Sequence, residues 1–419
     1  MTIWEIIGWY VFVYPLAMSI IWTSAGIYFW WRREKSYSRK PSQWPEDWPS
    51  VTILVPCHNE EVSIAATCTA LQFLNYPDYR VVFIDDASTD NTANIIRRFV
   101  GLNPNFHLLR LSENQGKANA LNIALSVAVT TSITVVIDAD TILLPDTLKY
   151  LVYPFLKQPR LGAVTGNPIS VNKKNLIEKL QAAEFSSIIG LIKRSQRVLG
   201  RVLTVSGCVV AFRTEVLKEV GGFSPYTATE DIDITWKIQK RFYEVWFVPQ
   251  AVALIQSPAT LREYWKQRKR WALGGWHLLR THKDIFKSWH WRYLYPVYFD
   301  FVLGYLWAFC FVFGTLLWAI SSIFFHYPLG ISPIPAWYGA LLSVAGVVQM
   351  SVAAFLNYDY DRNLWKTLFW VPWYFVFLFA FGALTVVWTA PKGLFGSLAG
   401  AGKWKSPKRV KMEKPDIRG

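Results

Sequence analysis

The sequence predicts an α/β domain, with a mixed, mainly parallel sheet and flanking helices, inserted between transmembrane α-helices. The first observation behind this is the uneven spread of apolar residues. Residues 3–31 carry a single charge, Glu5, and three further apolar stretches, 296–325, 336–357 and 364–390, crowd the C-terminal third. Each is about 20 residues or longer, enough to cross a hydrocarbon core about 30 Å thick. The second is that the segment between them, about 40–290, has ordinary globular composition, with short apolar strand patterns alternating with helical ones, the mark of βαβ units. The third is that the apolar run Ile133–Ile137 closes on Asp138-Ala139-Asp140. A buried parallel strand delivers its last residues to the carboxyl edge of the sheet, where α/β proteins bind ligands. Two carboxylates two residues apart at that edge repel each other unless a cation sits between them.

The first span has no Lys or Arg before it, too long an apolar run for a signal peptide and no A-x-A-like site after it, so it is expected to remain as a membrane helix. Its positive flank, Trp31-Arg32-Arg33 through Lys40, follows it, which puts the N-terminus outside and the next segment in the cytoplasm. A Pro/Trp-rich linker, Pro41 to Pro49, then leads to a strand at 51–56 and a helix around 60–73. Strand 80–84 precedes a helix around 91–100, strand 107–111 a helix around 117–129, and strand 133–137 ends at the D-x-D. Beyond 160 the pattern loosens into a strand near 161–165, a long helix near 176–198, strands near 202–212, and helices near 230–241 and 260–281. The boundaries that follow are 1–40 for the first helix and its basic flank, 41–290 for the α/β domain with juxtamembrane amphipathic helices, 291–395 for the C-terminal membrane helices and 396–419 for a basic tail. With span two running outward, the loop 327–337, free of Lys and Arg, lies outside and span three returns. A fourth full span would leave outside a tail, 392–418, with eight Lys or Arg against two acids. Either the positive-inside rule fails, or 364–390, broken by Pro372, does not fully cross; a cytoplasmic tail is the expectation.

The net charge of +15 collects beside the spans, at 32–40, 262–292 and 392–418, where it would meet anionic lipid. Basic patches with stacking aromatics can bind nucleic acid, but these aromatics read as interfacial belts, and no nucleic-acid partner is expected. The four cysteines are scattered without a C-x-x-C pair and the six histidines show no metal spacing, which excludes a disulfide framework and a zinc site from the expectation. No P-loop and no G-x-G-x-x-G after a strand is present, so neither a Walker-type nor a dinucleotide redox site is supported.

Four clusters carry possible chemistry. Asp85-Asp86-Ala87-Ser88-Thr89-Asp90-Asn91 leads from a strand end into a helix; Ser88 or Asp90 could simply cap that helix, or a carboxylate could accept a base N–H. His58-Asn59-Glu60-Glu61, after the preceding strand, would face the same crevice. Asn114-Gln115-Gly116-Lys117 offers a glycine turn, a helix start and a cation, which suit phosphate. Thr229-Glu230-Asp231-Ile232-Asp233 starts a helix, and its acids either complement the helix dipole, for about 0.3–1 kcal/mol, or supply a general base. Gln267-Arg268-Lys269-Arg270-Trp271 lies on an amphipathic, aromatic-rich stretch. It reads as a basic membrane anchor, or as a diphosphate-binding Arg270 beside a sugar-stacking Trp271, with Arg268 and Lys269 as anchor alone.

In this order the D-D strand end, D-x-D, T-E-D and Q-x-x-R-W resemble the signatures of the processive family 2 glycosyltransferases, the membrane synthases of cellulose, chitin and hyaluronan. Within that family, the stretches Ala163–Pro168, Ser186–Arg194, Thr204–Gly207 and Thr229–Lys237 look like the catalytic subunits of bacterial poly-β-1,6-N-acetylglucosamine synthases, and the likeness covers nearly the whole chain. Some members have two N-terminal spans where this sequence has one. The resemblance implies a GT-A-type fold and an inverting, metal-dependent, processive transfer of N-acetylglucosamine from UDP-N-acetylglucosamine into a β-1,6-linked biofilm exopolysaccharide. It places the enzyme in the bacterial inner membrane, with its catalytic domain in the cytoplasm and synthesis coupled to export. Asp85 and Asp86 would hold uridine, Asp86 for preference, with Asn59, Glu60, Lys117 and Asp138 around the nucleotide sugar. Asp140, helped by Asp138, would bind Mg²⁺ or Mn²⁺, and Asp231, beside Glu230, would deprotonate the acceptor's 6-hydroxyl. Arg270 would steady departing UDP, and Trp271 with Ser206, Gly207 and Gln267 would bind the growing polysaccharide. A small membrane partner subunit, and control by cyclic di-GMP through that partner, are implied too. Asp300 would face an export path or, for preference, lie at the bilayer interface. The alternatives are a hyaluronan-, chitin- or cellulose-type synthase, a non-processive glycolipid transferase, or an inactive export scaffold. Against the scaffold stands its lack of need for Asp138, Asp140, Asp231 and Arg270 together.

Overall fold

The computed structural model describes residues 2–35, 44–326, 328–332 and 337–398. The end of the basic flank, residues 36–40, the linker's start at 41–43, part of the loop 327–337 and most of the basic tail lie outside the described residues. The chain divides into two compact units, one built on Arg33–Asn172 and Gly200–Ser257, the other on Met1–Arg32, Lys173–Leu199 and Pro258–Gly396.

The first unit holds eight strands: β1 Val51–Cys57, β2 Tyr79–Asp85, β3 Phe106–Arg110, β4 Ile133–Ile137, β5 Ile142–Leu143, β6 Leu161–Ser170, β7 Val209–Arg213 and β8 Glu244–Ile255. They form one sheet in the order β3-β2-β1-β4-β7-β6-β8-β5. The neighbours β3-β2-β1-β4 are parallel, β7 runs antiparallel between β4 and β6, β6 and β8 are parallel, and β5 is antiparallel to β8. The expected mixed, mainly parallel sheet is what forms. Its central strands are buried on both faces, so they read as continuous apolar runs. Alternate residues serve opposite sides. Ile53, Val55, Phe83, Val135 and Ile137 pack with Ile64, Cys68, Leu71 and Ile96, whereas Leu54, Val82, Ile84 and Val136 pack with Leu121, Ala124, Ile234 and Ile238. Each such side chain, taken out of water, contributes roughly 1.5–3 kcal/mol. Burial also pushes the Cys57 thiol well above its ordinary pKa, and the two buried cysteines, Cys57 and Cys68, act as small core residues.

Register positions the functional edge. Cys57 pairs with Asp85 across β1 and β2, and Asp85 with Arg110 across β2 and β3. Because β1 lies between β2 and β4, Asp85-Asp86 and Asp138-Asp140 leave the same edge on either side of the β1 end.

Several expectations change. The helix expected around 60–73 starts only at Ile64, and the strands expected near 202–212 reduce to β7. The helix Thr147–Lys157 and the strands β5 and β8 had no counterpart in the sequence reading. The long helix near 176–198 forms as Leu176–Leu199, with a π-helical stretch at Ser186–Leu191.

Among the described residues three helices are long and apolar enough to cross a membrane: Ile3–Glu34, Trp289–Phe324 and Gly339–Leu356. The pair Leu364–Phe375 and Phe379–Phe395 is bent by 55° and would make a fourth span if counted as one. The break is not at Pro372, which sits in the first turn of the helix Val371–Phe377, where a missing N–H costs nothing. The bend comes after it. Leu261–Thr281 packs within the second unit: the Trp276 indole donates to the Val386 carbonyl at 3.1 Å and meets the Tyr305 ring edge-on at 4.6 Å. Tyr14 of the first helix donates to the Asp300 carboxylate at 3.1 Å, so that acid makes a helix-to-helix bond.

Strand β6 is squeezed at Gly166, where an added Cβ would lie 2.4 Å from the Ala251 carbonyl oxygen and 2.8 Å from Val209. Backbone cannot yield as a side chain can. Gly166→Ala should therefore destabilise the first unit by about 1–3 kcal/mol. A melting temperature in detergent unchanged from the parent protein would contradict this.

Candidate active site

The edge between β2, β1 and β4 gathers the acids in close order, and each is met by a different partner. Asp85 is fully buried; its Oδ1 accepts the Ser88 N–H at 3.1 Å and its Oδ2 lies 3.1 Å from Arg110 Nε. Asp86, also fully buried, accepts the Gln115 N–H at 2.7 Å on Oδ1 and the Gly116 N–H at 2.9 Å on Oδ2. Asp86 thus builds the loop that precedes the helix Lys117–Val127, a loop that turns through Gly116 at φ 82°. Each of its oxygens keeps a lone pair for a further donor. His58 Nδ1 lies 2.7 Å from the Asp86 carbonyl, and His58 Nε2 lies 3.0 Å from Asn114 Nδ2. Asn59 stands at φ 55° and its side-chain oxygen accepts the Thr89 N–H at 2.8 Å. Glu60 is buried, with Ser63 donating to its Oε2 at 2.8 Å. Asn59 and Glu60 therefore brace the loops around the crevice.

Lys117 joins two of the clusters. Its Nζ is 2.6 Å from Asp138 Oδ1 and 2.9 Å from Glu230 Oε1. Burial works against its charge, but the carboxylates of Asp138 and Glu230 outweigh it and hold the lysine pKa above its ordinary value. The cation is therefore fixed at every working pH. Asp140 is buried at the same strand end, where Thr67 donates to the Ala139 carbonyl at 2.8 Å.

The helix Glu230–Lys240 begins with three acids that have three separate fates. Glu230 turns to Lys117. Asp233 is buried, accepts from Ser224 Oγ at 2.5 Å and pairs with Lys237 at 3.2 Å, which makes it a structural acid. Asp231 is half-buried; its Oδ1 accepts the Ile232 N–H at 3.0 Å, and the bare backbone of Gly207 faces its Oδ2, from which an added Cβ would be 3.4 Å. The loop carrying Ser206 and Gly207 is tied down by Val205 N–H donating to Thr235 Oγ1 at 2.9 Å, Ser206 N–H to Thr165 Oγ1 at 2.8 Å and the Trp236 indole to the Leu203 carbonyl at 3.1 Å. These bonds keep Gly207 against the start of the helix.

Gln267, Arg270 and Trp271 belong to the second unit, on the helix Leu261–Thr281. Arg270 is exposed and Trp271 half-buried. Arg268 corrects the sequence reading. It is no membrane anchor but a buried cation, 2.6 Å from Glu184 Oε2. Glu184, which the sequence reading passed over, had one weak signal, a lone acid in the small-residue stretch Ala182-Ala183-Glu184-Phe185.

The donor set bears on a metal. Among the described residues no group of three or more His, Cys, Asp or Glu forms a complete cation cage. The two carboxylates of the D-x-D, Asp138 and Asp140, are the donor type that suits a magnesium-like ion, which binds one or two carboxylates and takes its remaining ligands from phosphate and water.

Residues 49–274 match the family described as glycosyltransferase like family 2. Over 97% of this chain and 99% of its own length, the poly-β-1,6-N-acetyl-D-glucosamine synthase of Staphylococcus epidermidis is 32% identical. The synthase of the same name from Staphylococcus aureus (strain COL) is 34% identical over 96% of this chain and 98% of its own. Among solved structures, the mannosyltransferase PcManGT from Pyrobaculum calidifontis, in complex with GDP-Man and Mn²⁺, superposes with a TM-score of 0.55 at 22% identity, covering 92% of this chain and 99% of that one. That likeness shows the GT-A-type fold. With its family match spanning more than half of the sequence and these relatives aligned almost end to end, the chain belongs to glycosyltransferase family 2.

Proposed function

We propose that this membrane glycosyltransferase polymerises N-acetylglucosamine from UDP-N-acetylglucosamine into a β-1,6-linked polysaccharide, processively and with inversion, and hands the product outward. The chemistry rests on one observation, Lys117 shared between Asp138 of the D-x-D and Glu230 of the T-E-D. Donor-side and acceptor-side motifs thereby meet on one cation. The choice of sugar and linkage draws its support from the names of relatives 32% and 34% identical. The setting we infer is the bacterial inner membrane with the site in the cytoplasm, a small membrane partner subunit, and cyclic di-GMP acting through that partner where it acts at all.

In this reading Asp85 and Asp86 hold the uridine end and Lys117 faces the diphosphate; the Gln115 and Gly116 N–H groups, which the sequence offered to phosphate, are taken by Asp86. Asp140 and Asp138 hold Mg²⁺ or Mn²⁺, which when bound neutralises charge on the diphosphate. Asp231 takes the proton from the acceptor's 6-hydroxyl; that oxygen bonds to C1 of the donor as the C1–O bond to UDP breaks, inverting the centre. Arg270 stabilises the departing diphosphate by charge-assisted bonds, and Trp271 offers a stacking face to the growing chain. Asp231 suits the base role because it is half-buried at the start of its helix, with its Oδ2 facing the bare backbone of Gly207.

The purified chain in lipid, given radiolabelled UDP-N-acetylglucosamine with Mg²⁺ or Mn²⁺, should yield a high-mass product that a β-1,6-N-acetylglucosaminidase degrades. UDP release with a product resistant to that enzyme would refute the linkage and keep the transferase. Asp231→Asn should lower polymer synthesis by about 10³ with UDP binding retained. Turnover like that of the parent would remove Asp231 from the base role. Lys117→Met should cut transfer by about two orders of magnitude and weaken UDP binding, since it removes a cation aimed at developing charge. Equilibrium UDP binding unchanged in that variant would exclude Lys117 from the diphosphate site.

A further inference from the structure

The second unit contains a buried ion pair, Glu184 with Arg268, that the proposed reaction does not use, set against Trp271, which it does. Glu184 comes from the helix Leu176–Phe185, Tyr264, Arg268 and Trp271 from Leu261–Thr281, and Tyr374 from Val371–Phe377. Arg268 is 8% exposed and Glu184 5%, with Nη2 and Oε2 2.6 Å apart. The other carboxylate oxygen, Oε1, accepts from the Tyr374 hydroxyl at 2.8 Å and lies 3.5 Å from that of Tyr264. The guanidinium carbon is 4.3 Å from the centre of the Trp271 ring and 4.6 Å from that of Tyr264. The Phe185 ring meets Trp271 edge-on with centres 6.0 Å apart.

A buried ion pair is seldom the most stable filling for such a space, because desolvating both charges offsets their attraction and an apolar pair of equal volume does as well. What it supplies is direction. A guanidinium locked by a carboxylate presents a fixed plane, and an indole over that plane is held in one orientation by the cation–π attraction. Three and four residues along a helix share a face, so Tyr264, Arg268 and Trp271 form one stack.

We propose that Glu184 and Arg268 are positioning residues that hold Trp271 in the orientation in which it stacks on the acceptor sugar, with Tyr374 fixing the carboxylate from the helix Val371–Phe377. This rests on the assignment of Trp271 to the growing chain. Arg268 touches no reacting atom and acts through the indole.

The test uses the full chain in lipid nanodiscs, labelled with 5-fluorotryptophan, with the Trp271 ¹⁹F resonance identified by its loss in Trp271→Ala. Glu184→Gln strands a buried cation and can fail to fold, so Arg268→Lys, which keeps the charge and loses the plane, and Tyr374→Phe carry the test. In Arg268→Lys the Trp271 resonance should shift and broaden with UDP affinity unchanged, and sugar incorporated per UDP released should fall about tenfold, as expected of a misplaced contact. Tyr374→Phe should change both in the same direction by less. Adding Trp271→Ala to Arg268→Lys should cost no more than Trp271→Ala alone, because both act through one residue. An unmoved resonance, or losses that multiply in the double variant, overturns the positioning role with the acceptor assignment intact. Coupling like the parent's in Trp271→Ala removes Trp271 from the acceptor and overturns the functional half of the proposal, whatever the resonance does.

Discussion

Four aspartates leave one edge of a parallel sheet, and their mutual repulsion is the constraint around which this molecule is arranged. At about 4 Å two like charges near a protein surface cost roughly 4 kcal/mol. The fold answers three of these acids in separate ways. Asp85 meets Arg110 and a backbone N–H, Asp86 two backbone N–H groups, and Asp138 the Lys117 ammonium. At Asp138 the compensating ammonium is shared with a second carboxylate, Glu230, on its other side. A lysine is a point charge on a flexible stem, so one ammonium can serve two acids that approach from different elements.

The two cations of the motif-bearing regions illustrate a division of labour. Lys117 serves two acids from two motifs, Asp138 and Glu230, and its own charge is secured by them. Arg268 serves a single acid and two aromatic rings, which is a use of planarity that an ammonium cannot meet. Both cations reach acids far from them in the sequence: Lys117 meets Asp138 and Glu230, and Arg268 meets Glu184.

The strands that position the D-D and D-x-D motifs were legible because burial makes them nearly continuous runs of Val, Ile and Phe that end on acids. β8 was not. Its outer half alternates buried and partly exposed residues, and Pro249-Gln250 interrupts it where its pairing with β6 shifts register, so no single period runs through it. The helix Thr147–Lys157 carries Pro154 in its last turn, which reads as a breaker although the fold tolerates it. At the site, the identity of the acids was readable from local pattern, but their partners were not. Asp86 looked like a ligand for a base, and that both its oxygens meet the Gln115–Gly116 backbone follows from the pairing of β2 with its neighbours. Arg268 looked like a membrane anchor because a run of Arg and Lys beside a span ordinarily is one. Its burial depends on Glu184, a contact that no local pattern encodes.

The stretch Ser186–Arg194 shows how the second unit accommodates polar groups in apolar surroundings. A π-helical turn at Ser186–Leu191 widens the ladder and leaves carbonyls without their usual partners four residues on. Unsatisfied carbonyls in such a place cost several kcal/mol each on the scale of transfer to hydrocarbon, and at about that scale they must be met by side chains. Asn357 Nδ2 reaches the Ser186 carbonyl at 3.3 Å, and Arg194 Nη1 reaches that of Gly190 at 2.9 Å and the Asn357 side-chain oxygen at 3.1 Å. Arg194, fully buried, also donates to the Leu356 carbonyl at 3.2 Å, closing the end of the helix Trp337–Leu356. One bulge, one amide and one guanidinium thereby lock a candidate membrane span to the helix that carries Glu184. The irregular turn and the buried arginine are parts of the same solution, since each supplies hydrogen-bond partners that the other lacks.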